Sequence, residues 1–315
     1  MIGKRVVARW ILAALSAAAV LASPAWAANP PAPITDLPQG LVGEFYAPPA
    51  GKGPLLLLLG GSEGGVPSRA ARDLNAQGFG VLALAYFMAP GVPQTLQSVP
   101  LEYFDTAVDW LAAQPTGTRR RVAIVGVSKG AEAGLLEGSR NPRVCAVVAG
   151  LPSSVAWAGV NMQNLADPKP SWTSGGQPVA YAPYDFASGR FKSIIDLYTR
   201  SFAKAQPEAH IPVEKIRGPV LLISGRQDAL WPSTAMGDAI MARLDAAKFR
   251  YPHQHLAYDN AGHAAFGKPP APGVVVPAAM IAQAGGTAEG NVAARVDSWP
   301  KTLAFLNEAY RKGCR

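Results

Sequence analysis

The chain has 315 residues, 49% hydrophobic and 16% charged, with a formal net charge of +8. That is enough apolar material for one large α/β domain or two small ones, and it makes disorder a poor description. Lys4, Arg5 and Arg9 lie in a segment expected to be removed, so 8 less 3 leaves about +5, with no acidic residue lost in that segment. The remaining basic residues are scattered around one triplet, Arg119-Arg120-Arg121, so the chain lacks the basic, aromatic-interleaved stripe that nucleic-acid binding calls for.

In chain order, MIGKRVVAR supplies a positive start, WILAALSAAAVLA an apolar stretch, and Ala25-Trp26-Ala27 small residues at the two positions a signal peptidase reads. The apolar stretch, about thirteen residues, is short for a bilayer span. The reading is a cleavable signal peptide over 1–27, hence a periplasmic or secreted protein with no integral span in its mature form; an uncleaved anchor is the competing reading. A Pro-rich leader follows to about residue 40, and a single domain is expected over 41–315.

LVGEFYAP alternates like a strand, and PLLLLLGG (54–61), GFGVLALAY (78–86) and RVAIVG (121–126) are continuous apolar runs. Before the last of them, Leu101, Phe104, Ala107, Val108 and Leu111 share one helical face. The rhythm resumes with VCAVVAG (144–150), PVLLISG (219–225), a helix near Ser233–Leu244, HQHLAYD (253–259) and a last helix over about 291–310. Apolar strands alternating with helices predict a mostly parallel sheet covered on both faces. Two cysteines make no disulfide framework: Cys145 reads as a buried small hydrophobe, Cys314 is one residue from the end, and their pairing is left open. Residues 151–210, carrying Trp157, Trp172, Tyr181, Tyr184, Phe186, Phe191 and Tyr198, interrupt the pattern as a lid-like insertion or pocket wall, or else as a local core.

Chemistry concentrates at Gly126-Val127-Ser128-Lys129-Gly130, a G-x-S-x-G pattern between a strand and a helix. A serine there projects its hydroxyl at the carboxyl end of the strand, and the flanking small residues let strand and helix approach. A hydroxyl needs a base to take its proton and a carboxylate to orient that base. Asp228 follows PVLLISG and His263 follows the last strand, giving the order Ser, Asp, His of α/β-hydrolases. Asp259 is the main rival to Asp228. His253 and His255 lie in or at the last strand, His210 precedes a proline-containing connection, and Asp238 falls mid-helix. Oxyanion donors are expected from the Lys129 amide and from Gly60-Gly61-Ser62-Glu63-Gly64-Gly65, with Ser62 N–H first and Gly61 N–H second. The glycine loop lacks the Lys-Ser/Thr ending of a phosphate loop, no metal cluster is apparent, and no G-x-G-x-x-G opens a helix after the first strand, so no cofactor is expected.

LVGEFYAP, LLLLLGGSEGG, GFGVLALAYF, SVPLEYFDTAVDWLAAQP, VAIVGVSKGAE, SGRQDALWPS and VDSWPKTLAFLNEAY occur in an order that resembles the catalytic domain of the acyl-CoA thioesterase and bile acid-CoA:amino acid N-acyltransferase family. The resemblance runs from about residue 40 onward. It implies an α/β-hydrolase fold, with a triad mapping onto Ser128, Asp228 and His263. Members of that family from eukaryotes carry an N-terminal β-sandwich domain, where this sequence has a signal peptide and a short leader. Its conjugating acyltransferases use a cysteine nucleophile, so Ser128 favours water as the acceptor. Together these readings predict an exported serine hydrolase of a small-molecule acyl ester or thioester. Transfer to an amine or alcohol is the alternative, and a non-catalytic binding protein on the same scaffold is the alternative outside enzymes.

Overall fold

Five consecutive leucines, Leu55–Leu59, are all buried because they form a strand covered on both faces. Leu55, Leu57 and Leu59 point into one core with Phe104, Val108, Leu111, Leu135 and Ile240, while Leu56 and Leu58 point into another with Leu74, Leu306 and Tyr310. Each such side chain contributes about 1.5–3 kcal/mol by leaving water. Successive residues on a strand face opposite ways, so an unbroken apolar run is what a doubly covered strand requires.

The structure is a computed structural model that describes residues 32–159, 169–275 and 277–314. The expected signal peptide, 1–27, lies outside the described residues. The strands are β1 (Val42–Tyr46), β2 (Leu55–Leu59), β3 (Gly80–Ala85), β4 (Val99–Pro100), β5 (Val122–Val127), β6 (Val144–Gly150), β7 (Trp172–Ser174), β8 (Gln177–Pro178), β9 (Val220–Gly225) and β10 (His253–Tyr258). The helices are α1 (Ser68–Asn75), α2 (Leu101–Ala112), α3 (Lys129–Arg140), α4 (Ile194–Ala203), α5 (Ser233–Ala246), α6 (Ala278–Ala284) and α7 (Ala288–Lys312). Seven strands form one sheet in the order β1-β3-β2-β5-β6-β9-β10, with β1 antiparallel to β3 and all other neighbours parallel. Helices α2, α3 and α5 contribute to the core on one face, α1 and α7 to that on the other.

This is the expected mostly parallel sheet with helices on both faces. All five residues read as the buried face of α2 are buried. The leader is partly built in: Ile34 exchanges both backbone hydrogen bonds with Phe45, and Leu37 and Leu41 are buried. Cys145 and Cys314 are bonded to each other, which ties β6 to the end of α7 across 169 residues of sequence.

The described part of the insertion is mainly a core of its own. Trp157, Tyr184, Tyr198 and Trp231 pack ring against ring, and Trp172 joins Tyr86 and Phe104 in the main core. Phe186 and Phe191 are the exceptions, both exposed. Since six of the seven main strands run parallel, their carboxyl ends share one rim, where ligands of such sheets bind.

Candidate active site

Val127 ends β5 and Lys129 begins α3, so the chain must reverse within one residue, Ser128. That residue sits at φ 55°, ψ −118°, a backbone conformation costing about 1–3 kcal/mol for a non-glycine residue. The close approach of strand and helix explains the flanking glycines. A Cβ on Gly126 would lie 2.2 Å from the Gly130 carbonyl oxygen, and one on Gly130 would lie 2.3 Å from the carbonyl oxygens of Leu59 and Gly60. The Ser128 amide is held by the Gly150 carbonyl at the end of β6, 2.8 Å away.

The rim brings together the three residues expected from chain order. Ser128 Oγ lies 3.0 Å from His263 Nε2, and His263 Nδ1 lies 2.8 Å from Asp228 Oδ2 and 3.0 Å from Oδ1. Asp228 is buried and accepts three more hydrogen bonds: Leu230 N and Trp231 N on Oδ1, and Ser233 Oγ on Oδ2. A carboxylate can only accept, so His263 Nδ1 carries the proton, and Nε2 turns its lone pair toward the serine hydroxyl. The imidazole is braced by the Ala284 carbonyl, which accepts from His263 N at 2.7 Å, and by the Trp231 ring, edge-on with centroids 5.9 Å apart.

The competing groups are engaged elsewhere. Asp259 pairs with Arg226 at 2.9 Å and is exposed, and His253 bonds Asp245 and the Tyr251 carbonyl. His210 has its ring beside Phe202. His255 belongs to a second Ser–His–Asp chain, through Ser224 Oγ at 2.7 Å and Asp238 Oδ1 at 2.9 Å. Distance alone does not separate the two chains, but burial does. Ser224 is fully buried within β9 and also bonds Thr234, whereas Ser128 keeps 8% of its surface exposed at the rim. Among the described residues no group of three or more His, Cys, Asp or Glu is placed to hold a metal.

The expected oxyanion donors are divided by the structure. As the first residue of α3, Lys129 has a backbone N–H with no acceptor within the helix. The Gly61 amide donates to Glu63 Oε1 at 2.9 Å, and a Cβ on Gly61 would touch both Glu63 Oε2 and the Ser128 Cβ. A carboxylate therefore occupies the second-choice donor, while Ser62 N–H has no acceptor among the described residues. Glu63 stood in the quoted loop, but only its position beside the serine reveals that contact.

Sequence reasoning also missed Glu132. Its Oε2 accepts from Lys129 Nζ at 2.7 Å, and its Oε1 accepts from Trp157 N and from Trp172 Nε1 at 2.6 Å. Lys129 Nζ further donates to Ser171 Oγ and sits over the Trp172 ring. Burial pushes the Lys129 ammonium down and the Glu132 carboxyl up from their ordinary values, and their mutual contact offsets both. The network pins the first turn of α3, and so the Lys129 amide, to the insertion. Its only sequence signal is the i, i+3 spacing of Lys129 and Glu132, which reads equally well as a solvated pair.

Residues 99–312 match the protein family described as "BAAT / Acyl-CoA thioester hydrolase C terminal". The chain is 26% identical to acyl-coenzyme A thioesterase 1 of Mus musculus over 275 residues, covering 86% of this chain and 63% of that protein. It is 31% identical to acyl-coenzyme A amino acid N-acyltransferase 1 of Mus musculus over 244 residues, covering 76% and 55%. The chain thus spans less than two thirds of the length of either relative. Its fold matches a crystal structure of a puromycin hydrolase with a TM-score of 0.56 at 17% identity, covering 90% of this chain and 39% of that one. At that identity the likeness concerns the fold alone.

Proposed function

Because this chain belongs to the BAAT and acyl-CoA thioester hydrolase C-terminal family, we propose that it is a serine hydrolase of carboxylic thioesters or esters. The observation that carries the reading is the continuous hydrogen-bonded path from Ser128 Oγ through His263 to Asp228, at 3.0 and 2.8 Å. Ser128 Oγ attacks the acyl carbonyl carbon while its proton passes to His263 Nε2. The carbonyl oxygen, now an oxyanion, takes hydrogen bonds from the Lys129 and Ser62 amides. The bond to sulfur or oxygen then breaks, and the leaving group departs with the proton held by His263. Water repeats the sequence on the acyl-serine and releases the free acid. Asp228 keeps the imidazole in one tautomer and balances its charge while it is protonated.

The test is covalent. A fluorophosphonate probe is expected to label the protein once, with the adduct on Ser128 by peptide mass spectrometry; an adduct elsewhere, or none on a protein that binds acyl thioesters, overturns the reading. Relatives named as amino acid N-acyltransferases make transfer the second reading. Incubation with an acyl thioester plus glycine or taurine separates the two, since free acid alone is the hydrolytic result.

Export is part of the proposal. The arrangement of residues 1–27 supports it, as does the Cys145–Cys314 bond, because such bonds persist in oxidising compartments. The protein recovered from the periplasm or medium is expected to begin near Ala28, and intact-mass measurement finding Met1 there rejects cleavage.

A further inference from the structure

Ser128 stands at the carboxyl ends of the parallel strands, and the opposite, amino-terminal edge of the sheet gathers cations that lie far apart in sequence. Lys52, Arg119, Arg217 and Arg250 stand three residues before the first residue of β2, β5, β9 and β10 respectively, and Arg120, Lys215 and Lys248 lie in the same loops. All seven are exposed. The strand order β2-β5-β6-β9-β10 sets these loops side by side, at about 4.8 Å per strand. Hydrogen bonds join them into one surface. Thr118 N donates to the Gly53 carbonyl, and the Arg121 guanidinium donates to the carbonyls of Pro142, Val144, Arg217 and Gly313. Lys215 and Arg217 share a hollow of about 280 Å³ with Lys248 and Arg250.

The carboxylates near this edge are already engaged: Asp109 pairs with Arg143, Glu214 with Arg243, Glu308 with Arg311 and Lys312, and Asp245 with His253. Among the described residues none of the seven exposed cations has a carboxylate partner. Seven charges exceed the excess of about +5 left once residues 1–27 are removed, so the remainder of that chain is slightly acidic and its positive field comes from this one edge. We propose that the edge docks the protein on a membrane surface of anionic lipid headgroups, with the catalytic rim turned away from the bilayer. Such a surface attracts clustered Lys and Arg by charge alone and needs no built pocket. A nucleic-acid strand asks in addition for rings free to stack on its bases. Here Phe249 packs on Tyr251 and His253, and Arg250 covers the Tyr251 ring. Strands β5 and β9, six residues each, put about 20 Å between the edge and the triad, so docking leaves the rim open to substrate.

Docking is measured apart from turnover, so the inference stands or falls independently of the hydrolase reading. The protein as recovered from the producing cell, variants and wild type processed alike, is sedimented with vesicles of phosphatidylcholine containing about 30% phosphatidylglycerol, and with vesicles of phosphatidylcholine alone. Wild type is expected to partition onto the anionic vesicles in preference to the neutral ones, and to be released as salt rises. The double variant Lys215→Gln/Arg217→Gln should lower that partition about 25-fold, roughly fivefold for each cation. Arg190→Gln/Lys192→Gln removes the same charge from exposed residues of the insertion and should lower it less than about threefold. Thermal unfolding checks that both doubles are folded; should the first not fold, Arg217→Gln alone is expected to give the fivefold loss. Equal losses in the two doubles, or no preference for anionic vesicles, overturn the proposal. A duplex oligonucleotide that binds more tightly than the vesicles at equal phosphate concentration, and is lost through the same double, assigns the edge to nucleic acid and overturns it too.

Discussion

Ser128→Ala is expected to lower turnover of an acyl ester or thioester by about four to six orders of magnitude, the range seen when a nucleophilic serine is removed from a comparable triad. Among the described residues no other hydroxyl is placed to stand in for it. Ser224, the only other serine on a comparable Ser–His–Asp path among the described residues, is fully buried and shared with Thr234. The residual rate would come from the Lys129 and Ser62 amides acting on a carbonyl attacked by water. Stability should move little, because alanine keeps the Cβ and the same strained backbone at φ 55°. The measurement is kcat on a p-nitrophenyl ester and on a thioester, with thermal unfolding as the control for folding. A variant within tenfold of wild type on both substrates sinks the mechanism.

Asp228→Asn is expected to cost about four orders of magnitude in kcat by a different route. The carboxylate accepts from four donors: His263 Nδ1, Leu230 N, Trp231 N and Ser233 Oγ. An asparagine has one accepting and one donating end. Two backbone amides cannot reverse, so the carbonyl oxygen must stay at the Oδ1 position and the NH₂ group takes the Oδ2 position. There it meets Ser233, whose hydroxyl can rotate, and His263 Nδ1, which must then accept. The ring proton moves to Nε2 and points at Ser128, where a lone pair is needed. Asp259→Asn is the matched control. That residue is paired with Arg226 on the surface, so its loss should change kcat less than twofold. Equal losses in the two variants would reject Asp228 as the positioning carboxylate.

Much of this protein is legible from pattern. A strand buried on both faces must be apolar throughout, so the runs at 54–61, 121–126, 144–150 and 219–225 declare themselves, and α2 does so through its 3.6-residue spacing. By contrast, α1 is eight mainly polar residues with only Ala71, Leu74 and Asn75 buried, too short a stripe to read as periodic. The stretch 264–290 is rich in Pro, Gly and Ala. Nothing in its composition says that Ala284 braces both the His263 amide and the loop of Asp228, through Ala229 N. The aromatic insertion reads in sequence as a pocket wall or as a local core; in the structure Trp157, Tyr184 and Tyr198 form a core of their own, while Trp172 joins the main one.

By itself the sequence determined the class of fold and pointed to Ser128 and His263, with Asp228 or Asp259 as the carboxylate between them in chain order. Those follow from local rules: strand periodicity, the glycines that one tight turn demands, and the placement of each residue after a strand. Tertiary structure alone decided which carboxylate meets His263, that Glu63 occupies the Gly61 amide, that Glu132 is buried under Lys129, and that Cys145 bonds Cys314. Each of these depends on bringing together atoms from different segments or on the burial of a charge. Hydrogen bonds and ion pairs act over about 3 Å in space and carry no signature of their separation along the chain.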